Sequence, residues 1–202
     1  NGLVIPPKLA PVQGVVIPIA KNEEQLAAIR AYIEPVLAAM RAKGITVKFD
    51  DDDKKKPGWK FAEYELKGFP VRIAIGPRDM ENGTVEVARR DTLEKQVMQT
   101  VDLAEKVDNL LTAIQSNLYE KALALRERYT RSVDGYDEFK VAIEEGGFIY
   151  AHWDGTAQTE EKVKNETKAT IRCIPLEQPG GTGTCVYTGR EAHEVALFGR
   201  AY

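Results

Sequence analysis

The chain has 202 residues, of which 43% are hydrophobic and 29% charged, and its formal net charge is −3. This apolar content excludes a disordered chain, and the longest apolar run, residues 14–20, is too short to span a bilayer. Two cysteines make no disulfide scaffold, no secretory signal opens the chain, and a cytoplasmic protein is expected. The mild acidity argues against a simple basic nucleic-acid binder.

The first half of the chain alternates between strand and helix signals. Residues 15–20 form an apolar, β-branched run that is typical of a buried strand. Asn22 can cap a helix whose apolar positions recur at steps of three and four as far as Gly44. Pro35 falls inside this pattern, so we expect a kink or a break there. Residues 45–49 predict the next strand, and the β-α-β order favours a parallel pair.

A hydrophilic loop at residues 50–58 separates this unit from further elements of both types. A short helix is predicted over 59–67 and a strand over 71–75. Pro77 can begin a helical turn, and residues 84–88 predict another strand. These elements predict a small α/β domain whose sheet has mixed strand directions.

The period of the apolar residues changes in the second half of the chain. From Val101 to Leu125 they follow the helical spacing, which predicts one long helix that leads from one domain to another. Residues 136–145 predict a second helix, which ends at two glycines. The final segment is rich in strand signals, at residues 148–153, 169–174, 185–187 and 195–198.

The histidines and cysteines, which often bind metals or act in catalysis, are far apart in the sequence. His152, Cys173, Cys185 and His193 are isolated, whereas a structural zinc site needs closely spaced ligand pairs. Buried thiols and surface imidazoles are therefore the favoured interpretation. The chain also has no Gly-x-Ser-x-Gly nucleophile motif and no phosphate-binding Gly-Lys-Ser/Thr loop.

The segment from residue 51 to residue 95 contains acidic and basic side chains in equal number, interleaved with Trp59, Phe61 and Tyr64. Unpaired RNA bases are read by such a mixture, with cations for purine acceptors, carboxylates for amino groups and aromatic faces for stacking. An ordinary solvated surface has the same composition, and the pattern by itself favours that blander interpretation.

Collinear motifs nevertheless run along the whole chain. They are the stretch from Pro57 to Asp79 with its Gly-Pro-Arg-Asp turn, Ala-Arg-Arg-Asp-Thr at 88–92, Lys-Ala-Thr-Ile-Arg-Cys-Ile-Pro at 168–175 and Leu-Phe-Gly-Arg-Ala-Tyr at 197–202. Together they resemble prolyl-tRNA synthetases of the eukaryote/archaeal-like type, in the region of the anticodon-binding and C-terminal domains.

The resemblance implies a mixed five-stranded sheet with flanking helices, a long connecting helix and a small α+β domain. Residues 1–12 would be a linker from a missing catalytic domain, 13–128 the anticodon-binding domain and 129–202 a zinc-binding-like domain. The parent enzyme would be a class II proline–tRNA ligase that uses ATP and Mg in the missing domain. This chain alone is then expected to be non-catalytic and to hold no cofactor.

By motif position, the family's recognition of two adjacent anticodon guanines falls on Glu65, Arg72, Arg78, Asp79 and Lys95, with Phe61 as a candidate for stacking or for the core. Arginine can bond guanine O6 and N7 as a fork, and a carboxylate can accept from N1–H and the amino group. The competing interpretation of Arg72 and Glu65 is a surface ion pair of little energy.

The zinc ligands of the family are degenerate in this chain. Asp154, Thr159 and Thr188 stand near the expected cysteine positions, and only Cys185 remains, so zinc is not expected. Tyr202 would direct its terminal carboxylate toward the catalytic domain.

The expected partners are tRNA(Pro) and, through the missing domain, a second copy of the enzyme, but neither DNA nor a membrane. The alternative function is a structural or protein-interaction module without direct RNA readout.

Overall fold

The computed structural model of the protein describes residues 2–200, which form two compact units that divide between Glu120 and Lys121. No helix within these residues is both long and apolar enough to cross a membrane. Tyr202, and with it the prediction for the terminal carboxylate, lies outside the described residues.

The first unit is a mixed α/β structure, as predicted. Its elements are a 3₁₀ turn (Pro7–Leu9), β1 (Gly14–Pro18), α1 (Glu23–Ala42), β2 (Val47–Phe49), α2 (Pro57–Leu66), β3 (Val71–Ile75), α3 (Pro77–Asn82), β4 (Thr84–Arg89), β5 (Lys95–Gln99) and α4 (Leu103–Arg128), which continues into the second unit. The five strands form one sheet in the order β2-β1-β3-β4-β5. β1 is parallel to β2 and β3, whereas β4 is antiparallel to β3 and β5.

Local sequence signals account for α1, except at Pro35. Asn22 caps the helix by accepting a hydrogen bond on Oδ1 from the backbone N–H of Gln25, at 2.9 Å. The predicted break at Pro35 is wrong, since α1 continues through it. The proline is exposed, while Ile33 and Leu37 on either side are buried. Burial of this face outweighs the single helix hydrogen bond that a proline removes.

The two faces of the sheet are covered unequally. α1 and α4 cover one face and form the main core with Val16, Ile73, Val85 and Val87 of the sheet. On the opposite face α2 packs over β1, where Tyr64 contacts Val15 and Ile17. The edge strand β5 is largely exposed, with Val97 71% exposed. This exposure explains why the residue pattern does not predict β5, because an edge strand needs no apolar run.

A buried ionic cluster fixes α2 to the end of β2. Lys60 Nζ donates to the Asp50 carbonyl at 3.0 Å and lies 3.3 Å from Oδ1 of the same residue, while the Tyr64 hydroxyl donates to Oδ2 at 3.0 Å. Burial raises the pKa of Asp50, but hydrogen bonds from the Asp52 N–H, Tyr64 and Lys60 outweigh it and hold the pKa below its usual value. The Asp50 carboxylate is therefore ionised at neutral pH, and it is paired with Lys60.

The second unit is a small α+β domain, again as predicted. Its elements are β6 (Thr130–Ser132), α5 (Tyr136–Glu145), β7 (Phe148–Trp153), α6 (Ala157–Thr167), β8 (Ala169–Cys173), β9 (Gly183–Thr184), β10 (Glu191–Ala192) and β11 (Glu194–Arg200). Four strands form a sheet in the order β6-β7-β11-β8, and its core includes Phe139, Ile149 and Phe198.

Several features of this unit differ from the sequence prediction, which did not include the short strands β6, β9 and β10. Residues 185–187 lie in a turn, although a strand was predicted there. α6 was not predicted because it is polar nearly all round and buries only Thr159 and Val163. A helix with so narrow an apolar stripe gives little periodic signal.

Three threonine hydroxyls converge on the carboxylate of Asp154. Thr156 donates to Oδ1 at 2.9 Å, and Thr159 and Thr188 donate to Oδ2 at 2.8 and 3.4 Å. Burial raises the pKa of Asp154, but the hydrogen bonds from Thr159 and Thr156 outweigh it and lower the pKa. The cluster joins the end of β7, the start of α6 and the turn before β10.

We predict that Asp50→Ala destabilises the first unit by about 3–5 kcal/mol, because it leaves the Lys60 ammonium buried without a counter-charge. Urea unfolding would be followed by the fluorescence of Trp59, with Trp153 replaced by Phe in every variant. Asp53→Ala is the matched control, since Asp53 is exposed, and it should change the free energy of unfolding by less than about 0.5 kcal/mol. Equal effects of the two substitutions would contradict the prediction.

We predict that the Asp154 cluster makes the stability of the second unit depend on pH. Folding lowers the pKa of Asp154, so its ionised carboxylate stabilises the folded state fully above the unfolded-state pKa of about 3.9. This stabilisation is lost as the pH falls through the folded-state pKa. Asp154→Asn should cost about 1–2 kcal/mol at pH 7 and make the acid-induced loss of stability smaller. Urea unfolding between pH 7 and 3, read from Trp153 with Trp59 replaced by Phe, tests this. Asp134→Asn, at an exposed position, should leave the wild-type pH profile unchanged.

Candidate nucleic-acid interface

A pocket of about 110 Å³ lies in the first unit, at the end of α2, the start of β3 and the turn between β4 and β5. Its lining residues are Tyr64, Glu65, Phe69, Arg72, Ala88, Arg89, Arg90, Leu93 and Lys95. Three of the predicted contact residues, Glu65, Arg72 and Lys95, therefore line one cavity.

Strand register explains why these residues converge. Arg72 on β3 is paired with Ala88 on β4, and Ala88 is paired in turn with Lys95 on β5. Residues directly opposite each other in a sheet point to the same face. The small side chain of Ala88 leaves room between the two cations. Glu65 joins them because Arg90 Nε donates to its backbone carbonyl at 2.9 Å, which ties the end of α2 to the β4–β5 turn.

Arg72 is the most unusual residue of the pocket. Its side chain is only 5% exposed, and its guanidinium lies 3.9 Å from the centre of the Phe61 ring. Nη1 donates to Glu86 Oε1 at 3.2 Å. Nε and Nη2 are buried and have no hydrogen-bond partner within residues 2–200. Because unpaired buried donors each cost about 1–3 kcal/mol, this edge of the guanidinium is suited to a ligand that supplies two acceptors.

The structure places Phe61 beneath Arg72. The ring packs against the cluster of Val15, Ile17 and Tyr64, and its face meets the guanidinium. A cation held over an aromatic face is electrostatically stabilised by the ring. This position favours the core interpretation of Phe61 over that of a platform for a base.

The remaining two predicted residues lie elsewhere. Arg78 and Asp79 belong to α3, beyond the carboxyl end of β3, and do not line the pocket. Asp79 Oδ2 accepts a hydrogen bond from the backbone N–H of Gly76 at 2.7 Å. Arg78 is exposed and has no hydrogen bond or ion pair with another described residue. β3 thus separates the predicted set into a pocket group at its start and a second group at its end.

Two acidic residues that sequence reasoning did not select hold arginines at the pocket. Glu86 bonds Arg72, and Asp91 accepts from Arg89 Nε at 2.7 Å and Nη2 at 2.6 Å, with a further hydrogen bond from Asn117. Burial raises the pKa of Asp91, but the bonds from Arg89 and Asn117 outweigh it and lower the pKa. A signal existed for Glu86, because it lies between two buried valines and so points away from the core, as Arg72 does.

Metal binding finds no support in the described residues. Between residues 2 and 200, no group of three or more His, Cys, Asp or Glu side chains could hold a metal ion. Cys173 is exposed and Cys185 is buried.

Comparison with known proteins gives consistent matches along the chain. The family model described as "Anticodon binding domain" matches residues 13–110, and "Prolyl-tRNA synthetase, C-terminal" matches residues 136–202. Relatives named proline–tRNA ligase include those of Porphyromonas gingivalis (58% identical over 202 residues), Cytophaga hutchinsonii (57% over 203) and Bacteroides fragilis (54% over 206).

Each of these matches covers 100% of the chain but only 41% of the relative, so the chain spans about two fifths of their length. The motif-based resemblance is thereby confirmed. The chain belongs to the prolyl-tRNA synthetase family, of which it carries the anticodon-binding domain and the C-terminal domain.

Proposed function

We propose that the chain recognises the anticodon of tRNA(Pro) as part of a proline–tRNA ligase. The observation that carries this proposal is the unpartnered Nε–Nη2 edge of Arg72, a residue that lines the pocket. A buried guanidinium with two free parallel donors lacks only a planar ligand with two adjacent acceptors. Guanine supplies such a pair in O6 and N7.

The other pocket residues complete the recognition of a base. The Glu65 carboxylate at the rim can accept from guanine N1–H and the amino group, which adenine does not offer in that arrangement. Lys95 adds an exposed ammonium opposite Ala88, where it can meet a second acceptor or a phosphate. Such a mixed set of donors and acceptors selects a base, whereas cations alone would bind any RNA.

The second group of residues offers a site for the neighbouring base. Arg78 has its donors free, and Asp79 uses only Oδ2 within the described residues. Between the two groups, β3, β4 and β5 present Ala74, Glu86 and Val97, which the register places side by side. We propose that one guanine is read in the pocket and the other at the start of α3.

The rest of the activity belongs to the part of the protein outside this chain. We propose that the whole protein is a class II synthetase that activates proline with ATP and Mg²⁺ in its catalytic domain and transfers it to tRNA(Pro). It would act as a homodimer through that domain, in the cytoplasm. The residues of this chain contribute binding and orientation of the tRNA, and we assign none of them to the chemical step.

We predict that Arg72→Ala weakens binding to a tRNA(Pro) anticodon stem-loop by about 1–3 kcal/mol, and that the loss disappears when one of the two guanines is replaced by adenine. Arg72→Lys should behave like the alanine variant, because an ammonium cannot form the fork. Fluorescence anisotropy at several salt concentrations measures both affinity and salt slope.

Arg41→Ala is the matched control, since Arg41 is an exposed arginine of the same unit that pairs with Glu34 on α1. It should leave base selectivity unchanged. Equal weakening by Arg72→Ala for every anticodon would indicate a phosphate contact instead of base reading. Wild-type binding that does not distinguish tRNA(Pro) stem-loops from others would favour the alternative of a protein-interaction module.

A further inference from the structure

We infer that Glu86 is a positioning residue that sets the base selectivity of the pocket by turning Arg72 toward the ligand, an inference that rests on the proposed function. Glu86 lies on β4, on the same face of the sheet as Arg72, and its side chain is 40% exposed. Its carboxylate is the one protein acceptor of the Arg72 guanidinium within the described residues.

Two contacts together define the orientation of the Arg72 guanidinium. The Phe61 ring lies 3.9 Å from the guanidinium and supports the group from one side. Glu86 fixes the direction of the group over the ring by bonding Nη1, the terminal nitrogen that is not part of the Nε–Nη2 edge. Without this bond the guanidinium would still contact the ring but its direction would not be fixed, so the two donors of the fork would no longer face a base together.

Arg89 differs from Arg72 in which of its guanidinium nitrogens bond a carboxylate. Asp91 bonds Arg89 through Nε and Nη2, so the fork of Arg89 is already occupied by a carboxylate. Arg72 has the opposite arrangement, because its carboxylate partner takes Nη1 and leaves the fork edge unbonded. Of these two arginines only Arg72 has an Nε–Nη2 edge without a protein partner among the described residues, and the bond from Glu86 to Nη1 preserves that edge.

In this role Glu86 acts through the length of its side chain, and not through its charge alone. Glutamine has the same length and can still accept from Nη1 through its amide oxygen, but it carries no charge. Aspartate keeps the charge but is one methylene shorter, so its carboxylate cannot meet Nη1 in the same place. The two conservative variants therefore separate orientation from electrostatics.

The test uses the chain and tRNA(Pro) anticodon stem-loops in which each of the two guanines is replaced in turn by 7-deazaguanine, which lacks only the N7 acceptor. The wild-type chain should bind one of these analogues on the order of tenfold more weakly than the guanine stem-loop. Glu86→Gln should retain this discrimination, and Glu86→Asp should reduce it to less than about twofold. A purely structural role would not make discrimination follow the length of the side chain.

Every other outcome would overturn either the role of Glu86 or the contact between Arg72 and guanine. Loss of discrimination in Glu86→Gln with retention in Glu86→Asp would show an effect of charge and would overturn the positioning role. Retention in both variants, or loss in both, would also overturn it. Absence of discrimination in the wild-type chain would overturn the fork contact itself, and with it the proposed reading of guanine by Arg72. Thermal unfolding verifies that each variant is folded, and Glu34→Gln on α1 is the control for removing one carboxylate charge.

Discussion

The pocket depends on one buried positive charge, the guanidinium of Arg72. Burying an ion costs several kcal/mol unless it is paired and hydrogen-bonded, and here the pairing is only partial. Glu86 supplies one carboxylate and Phe61 one aromatic face, while Nε and Nη2 stay without protein partners. An apolar residue at this position would avoid the cost. Retaining a charge with two unpaired donors is therefore understandable as a binding site whose ligand completes the hydrogen bonds.

The support for this charge comes from α2, which is fixed from its other side. Lys60 and Tyr64 bind the buried carboxylate of Asp50, and the same helix carries Phe61 under Arg72 and Glu65 at the pocket rim. The helix thus carries both the residues that hold it and two that contribute to the pocket, Phe61 beneath Arg72 and Glu65 in the lining. A loss of the buried cluster would displace the aromatic ring and the rim carboxylate together, which couples the stability of the unit to its binding geometry.

Much of the fold followed from periodicity and capping, whereas the site followed only in part. The strand at 71–75 and the helix at 136–145 were predicted with their observed bounds, because both have clear apolar patterns. β5 and α6 were not predicted, because an exposed edge strand and a polar helix have almost no periodic pattern of apolar residues. Arg78 was grouped with Arg72 by motif position, but Arg72 lies near the start of β3 and Arg78 beyond its end. Glu86 could be assigned to a face from the sequence, yet only coordinates show which nitrogen it bonds.

The net charge of −3 has a different meaning once the pocket is known. Two of its cations are already paired, Arg72 with Glu86 and Arg89 with Asp91, so little net charge is available to displace counterions from RNA. Under the proposed function, affinity would come mainly from contacts with base edges, which give selectivity but act over a short range. If the pocket reads bases as proposed, the domain would discriminate well and bind modestly, since phosphate contacts supply most of the affinity of nucleic-acid complexes. The remaining affinity for tRNA would have to come from surfaces outside this pocket.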